Sequence, residues 1–129
     1  MSGEFSIEID APRNLVRVRV RGFFSVEDVA RYHAAVDEGS IALGGPPSRQ
    51  KMLCDVTDMR IQSQDVVAAF QRVMADSKYR DRRVAFVVAT SLARMQVQRI
   101  IGERTALLFD NDADALAWLA RDQRSADAA

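Results

Sequence analysis

The chain contains one histidine, His33, and one cysteine, Cys54, and this bounds the chemistry open to it. Covalent catalysis needs a nucleophile, a base to take its proton and a third group to orient the base. No such set can be assembled from one His and one Cys. His33 falls on the same helical stripe as Val29 and Val36, the place of a core-edge histidine holding one hydrogen bond. Cys54 lies inside a short apolar run that reads as a buried strand, whereas a reactive thiolate needs exposure and a positive neighbourhood. The acids Asp55, Asp58, Asp110 and Asp112 all lie near the carboxyl ends of predicted strands, where open α/β sheets bind ligands. They are oxygen donors of the type that holds Mg²⁺ or Mn²⁺, but Asp110 and Asp112 also suit a helix cap and Asp58 a turn. An aspartyl-phosphate receiver needs acids after its first strand and a lysine after a late one, and neither is so placed. Ser63 has two readings. It is a natural helix N-cap, and a phosphate there would meet free N–H groups and the positive end of the helix dipole. The expectation is a protein that is not an enzyme, with no cofactor and no bound metal.

Composition narrows the partners. Eighteen basic residues balance eighteen acidic ones, so no long-range field gathers nucleic acid or anionic lipid. Arg17, Arg19 and Arg21 form a basic row on one strand face, which Glu8 and Asp10 of the neighbouring strand are expected to neutralise in part. Arg80, Arg82 and Arg83 form a second basic knot that reads as solvated surface, without the interleaved aromatics of a single-strand platform. Gly44-Gly45-Pro46-Pro47 is not a phosphate loop, since it lacks the Gly-Lys-Ser/Thr ending and precedes a strand. One cysteine forms no internal disulfide and fits a reducing compartment. Met1 to Asp10 contain acids and no long apolar run, so no signal peptide is expected, and no stretch approaches the roughly 20 apolar residues of a membrane span. The expectation is a cytoplasmic, soluble protein.

The elements that position these residues are legible as periodicities. Phe5, Ile7 and Ile9 alternate with polar residues, as do Val16, Val18 and Val20, and the short polar turn between them predicts an antiparallel hairpin. Ser25 and Asp28 form a capping-box pattern ahead of a helix with Val29, Tyr32, His33 and Val36, running to about Asp37 or a few residues further. Residues 39–50, with Gly39, Gly44, Gly45, Pro46 and Pro47, read as the longest irregular connection. Lys51–Val56 predicts a short buried strand. Ser63 then caps a helix with Val66, Val67, Phe70, Val73 and Met74 on one face. Val84–Ala89 is continuously apolar, the mark of a parallel strand covered on both faces. Thr90 or Ser91 caps a third helix carrying Leu92, Met95, Ile100 and Ile101. Thr105–Phe109 predicts a last strand, and Asp110-Asn111-Asp112 opens a fourth helix with Leu116, Trp118 and Leu119. At 129 residues there is room for one domain, placed at 1–120, with 121–129 as a flexible tail. The fold class is α/β: a leading hairpin, then alternating helices and strands, giving a mixed, mostly parallel sheet of about five strands with about four helices on both faces.

This order resembles the SpoIIAA-like or STAS-like superfamily, in the form of its bacterial single-domain proteins, over about Phe5 to Leu119. Three stretches carry the resemblance. Leu53-Cys54-Asp55-Val56 with Thr57-Asp58-Met59 is similar to that superfamily's buried strand and loop. Arg83 to Ala89 looks like its central strand, and Phe109-Asp110 to Ala115–Leu119 its closing helix. The resemblance implies a non-catalytic domain that binds a protein partner and regulates it, with Ser63, Asp55 and Asp58 at the contact surface. In the anti-sigma-factor antagonists the serine opening that helix is phosphorylated within an Asp-Ser-Ser-Gly-like sequence. Here the stretch reads Arg60-Ile61-Gln62-Ser63-Gln64-Asp65, which keeps one serine and neither the doubled serine nor the glycine. The fold also resembles lipid-carrying CRAL-TRIO domains, which gives the alternative of a small apolar ligand lined by Ile41, Leu43, Met59, Met74 and Met95. Homodimerisation through a sheet edge or an apolar helix face is a further expectation.

Overall fold

The computed structural model describes residues 3–102 and 106–121. Strands β1 (Glu4–Asp10) and β2 (Leu15–Gly22) form the hairpin, followed by α1 (Val26–Leu43), β3 (Lys51–Met59), α2 (Gln64–Met74), β4 (Arg83–Val87), α3 (Ser91–Ile101), β5 (Ala106–Phe109) and α4 (Asp112–Ala120). The five strands lie in chain order across one sheet, β1 antiparallel to β2 and every later pair parallel. That order has a consequence for the layers. Three right-handed crossovers stepping in the same direction must place α1, α2 and α3 on one face of the sheet. The other face is left to α4 alone.

The two cores follow. Val16, Val18 and Val20 of β2, Met52, Cys54 and Val56 of β3, and Val84 and Phe86 of β4 point to the three-helix side, where Val29, Tyr32, Val36, Phe70, Val97 and Ile100 close over them. Leu15, Leu53, Ala85 and Val87 point the other way and are covered by Ala115 and Leu119 of α4. All of β4 is buried, as its unbroken apolar run requires. The part of the second face that α4 does not reach carries the charged alternates of β1 and β2.

The capping box of α1 forms as its sequence pattern predicts. The Ser25 hydroxyl accepts from the Asp28 N–H at 3.0 Å and the Asp28 carboxylate accepts from the Ser25 N–H at 2.9 Å. Asp28 is buried and also accepts from the Gly3 N–H and pairs with Arg31. These backbone donors, with the Arg31 guanidinium, hold its carboxyl far below the usual carboxylate range. The native state therefore binds fewer protons at this site than the unfolded chain. The stabilisation is complete above the unfolded Asp pKa of about 3.9 and is lost as pH falls below it. Asp28→Asn is expected to cost about 1–2 kcal/mol at neutral pH, and to flatten the fall in stability between about pH 5 and 3 measured by urea unfolding.

Two boundaries differ from the expectation. Residues 39–43 are not part of an irregular connection, because α1 continues to Leu43. Gly39 sits inside the helix where α1 crosses the hairpin. A Cβ there would lie 3.1 Å from Ile7 Cγ2 and 3.3 Å from Ile9 Cδ1, so the absent side chain permits the approach. The helix ends on Gly44 (φ +83°), fastened by buried Gln50, whose side-chain N–H groups donate to the carbonyls of Ser40 and Gly44 at 2.8 and 3.0 Å. Ile41 and Leu43 are thus helical residues, not parts of a lid. Strand β3 runs to Met59 rather than stopping at Val56, since beyond a bulge, where three steps along β3 face two along β2, Asp58 and Met59 still pair with Arg21 and Gly22. Thr105 of the predicted last strand and residues 122–129 of the predicted tail lie outside the described residues. Among the described residues no helix is long and apolar enough to cross a membrane.

Candidate functional site

Strands β2, β3 and β4 end side by side, and α1, α2 and α3 begin there. The segments between them, residues 23–25, 60–63 and 88–90, therefore share one end of the molecule. Gln62 organises that end. It is buried, its side-chain carbonyl accepts from the Phe24 N–H at 2.7 Å, and its side-chain amide donates to the carbonyls of Gly22, at 2.9 Å, and Arg60. Its own backbone is held by Gln96 of α3, which accepts from the Gln62 N–H at 3.0 Å and donates to the Gln62 carbonyl at 3.3 Å. One side chain and its backbone thus tie the β2–α1 loop, the β3–α2 loop and α3 into a single platform.

Ser63 follows Gln62 directly, is exposed, and caps α2 by accepting from the Val66 N–H at 3.4 Å. The bond is long. Ser63→Ala is accordingly expected to cost about 0.5–1 kcal/mol, the low side of the range for an N-cap, and Ser63→Asp to preserve stability, as read by thermal or urea unfolding.

The same end of the molecule carries exposed apolar side chains. Phe23 and Val26 after β2, Ile61 before α2, and Leu92 and Met95 on the first turns of α3 are each 44% to 58% exposed. The Arg60 guanidinium lies over the Phe23 ring at 5.6 Å. Among the described residues, the remaining large exposed apolar ones, Ile9, Ile41 and Leu107, are scattered over other parts of the fold. Of the apolar residues the third helix carries, Leu92 and Met95 do not join the core. The buried stripe is Val97, Ile100 and Ile101, and the first turns of α3 present these two side chains outward. The sequence signal for this surface is the pair Phe23 and Ile61, apolar residues set in short turns that have no periodicity to bury them.

The acids do not gather into a site. Asp55 lies on the α4 side of the sheet, 3.3 Å from Arg19, and accepts from the N–H and hydroxyl of Thr57. Asp58 is exposed on β3, in register with Arg21. Asp110 pairs with Arg94 at 3.1 Å and Asp112 with Arg17 at 2.7 Å. The direct ion pairs of the basic row of β2 are made by Asp112, Asp55 and Glu4, while Glu8 stands opposite Arg17 across the hairpin and Asp10 also feels the Arg17 charge. Asp10 turns to Arg13, 2.7 Å away, at the hairpin turn. Arg82 and Arg83 are not solvated surface either. Both are buried, stacked over the rings of Tyr79 at 3.9 Å and Trp118 at 4.2 Å, which lets planar guanidinium groups enter the protein.

The methionines and the apolar residues of α1 are spread over separate places. Met59 and Met74 line an internal void of about 30 Å³ beside Tyr32 and Cys54, space for about one water. Met95 is on the surface described above, Leu43 packs against the three-helix core, and Ile41 edges an open cleft of about 420 Å³ with Asp37, Lys78 and Tyr79. Cys54 is buried with its sulfur 3.8 Å from the Tyr32 hydroxyl. His33 is half-buried, Nε2 3.2 Å from Asp76.

With this geometry in hand, likeness to known proteins bears on the fold. No protein-family model and no curated protein matches the chain. Among solved structures it is similar to an uncharacterized protein of the DUF3478 family from Shewanella loihica PV-4, described as having a SpoIIAA-like fold. The TM-score is 0.66 at 19% identity, over 92% of this chain and 94% of that one. The chain has a SpoIIAA-like fold. The mixed five-stranded sheet, with one antiparallel pair and alternating helices, is the arrangement that the SpoIIAA-like order of elements predicts. In this SpoIIAA-like domain Ser63 opens the helix after β3, at the carboxyl end of the sheet.

Proposed function

We propose that the chain is a non-catalytic STAS-like protein-interaction domain with a regulatory role, and that it meets its protein partner at the carboxyl end of the sheet. The observation that carries this reading is the grouping of Phe23, Val26, Ile61, Leu92 and Met95 on the platform that Gln62 fastens. A rigid apolar surface rimmed by charged residues such as Arg60 and Asp65 is what a protein interface requires. Ser63 sits within it, so a phosphate at Ser63 would bring roughly two negative charges onto an apolar contact and release the partner. A non-catalytic role is supported by the separation of the two most reactive side chains, with Cys54 packed against Tyr32 in the core and His33 paired with Asp76. The alternative of an apolar ligand has less support, since the void beside Met59 and Met74 holds only about 30 Å³ and the cleft of about 420 Å³ at Ile41 is open and bordered by the charged Asp37 and Lys78.

The test compares the wild-type chain with Ser63→Asp and Ile61→Asp as baits in extract from its native cells, with light scattering on the purified chain. A protein retained by the wild type and lost from both variants supports the reading. Retention by all three baits, or none, contradicts it, and a dimer broken by Ile61→Asp makes the occupant a second copy of the chain.

A further inference from the structure

A second group of side chains lies away from this surface, where α1 passes the 3-10 turn Ser77–Tyr79 that leads into β4. His33 and Asp37 are one helical turn apart on α1, and Asp76 caps the turn. His33 Nε2 is 3.2 Å from Asp76 Oδ2 and 3.9 Å from Asp37 Oδ2, and the three donor atoms all lie within 4.8 Å of one another. Ligand bonds of about 2.0–2.2 Å around a tetrahedral Zn²⁺ put neighbouring donor atoms about 3.4 Å apart, a value that the two His33 distances bracket, so closing the site chiefly requires the two carboxylates to approach each other.

The other oxygens of both carboxylates are already taken, and this aims the free ones. The Tyr79 hydroxyl donates to Asp37 Oδ1, and the Lys78 N–H donates to Asp76 Oδ1 at 3.2 Å. Such outer partners are what fixes ligand orientation in metal sites. A cation already samples the position: Lys78 Nζ lies 3.3 Å from Asp37 Oδ2 and 3.7 Å from Asp76 Oδ2. One ammonium against two carboxylates leaves a net negative charge among these three groups, whereas a divalent cation balances both carboxylates. Lys78 is half exposed and can swing into water, and the three ligands are open enough to leave room for water on a metal.

We infer that His33, Asp37 and Asp76 form a binding site for one divalent cation of the zinc class, taken up by displacing the Lys78 ammonium. An imidazole with two carboxylates suits such a borderline cation better than Ca²⁺ or Mg²⁺, which prefer all-oxygen sets. Because the ligands come from α1 and from the segment before β4, the bound metal cross-links them. The site stands independently of the partner surface.

Isothermal titration of the full chain, stripped with EDTA and dialysed, against ZnCl₂ tests the inference. Uptake of one Zn²⁺ per chain is expected, weakened at least about 10-fold by His33→Ala or Asp76→Asn and tightened by Lys78→Ala. Co²⁺ is expected to give visible absorption that His33→Ala removes. Where the alanine variant fails to fold by circular dichroism, His33→Gln carries the same expectation. Absence of stoichiometric uptake by the wild type, or uptake that the His33 substitution leaves unchanged, overturns it.

Discussion

Gln62→Ala is expected to lower the free energy of unfolding by about 3 kcal/mol, measured by urea denaturation. The side chain accepts from the Phe24 N–H and donates to the Gly22 and Arg60 carbonyls, all close to or inside the protein. A buried backbone donor left without a partner costs about 1–3 kcal/mol, and the space vacated by the amide adds to that. Gln62→Glu isolates part of the effect. It keeps an acceptor for Phe24 but aims a carboxylate oxygen at two carbonyls, and the loss is expected to be at least as large and to grow as pH rises through the carboxylate range. Because Gln62 and Gln96 tie three segments together, the damage spreads beyond the residue itself. Amide exchange is expected to accelerate over residues 22–26 and 60–63 in the alanine variant while the β3 and β4 core stays protected.

The second large effect concerns binding without stability. Ile61→Asp combined with Met95→Asp is expected to weaken the partner complex at least 100-fold, which is about 2.7 kcal/mol. The unfolding free energy is expected to change by no more than about 1 kcal/mol, because about half of each side chain is already in water. Ile41→Asp serves as the control. Ile41 is more exposed than either, lies at the far end of α1 from the platform, and its substitution is expected to change neither quantity.

Much of the fold was legible because its cause is local. Alternation in Phe5–Ile9 and Val16–Val20 produces the hairpin, the unbroken run of β4 requires two covered faces, and Ser25 with Asp28 starts α1 through bonds three residues apart. What escaped the sequence depends on groups distant along the chain. Gly39 ordinarily argues for a helix end, yet here its missing side chain is what lets α1 lie on Ile7 and Ile9. Arg82 and Arg83 look like surface charge until Tyr79 and Trp118 are folded beneath them. The same holds for the candidate site. Ser63 was readable as a cap, since capping is a matter of a few residues. Gln62, a polar residue in a polar turn, gives no sign of the bonds it makes to residues 34 to 40 positions away. Leu92 and Met95 have helical spacing with Ile100 and Ile101, but the first turns of α3 stand clear of the core that Val97 and Ile100 enter, and spacing alone does not tell the two sets apart.

The central claim is that the carboxyl end of the sheet is the partner surface. Site-specific photo-crosslinking in the native cells tests it most directly, with the photoreactive residue placed in turn at Ile61, Met95, Ile41 and Leu107. All four positions are exposed, so each variant is expected to fold. The account predicts an adduct of the same added mass from positions 61 and 95 and none from 41 and 107. Adducts from 41 or 107 alone, or equal labelling at all four positions, would contradict it.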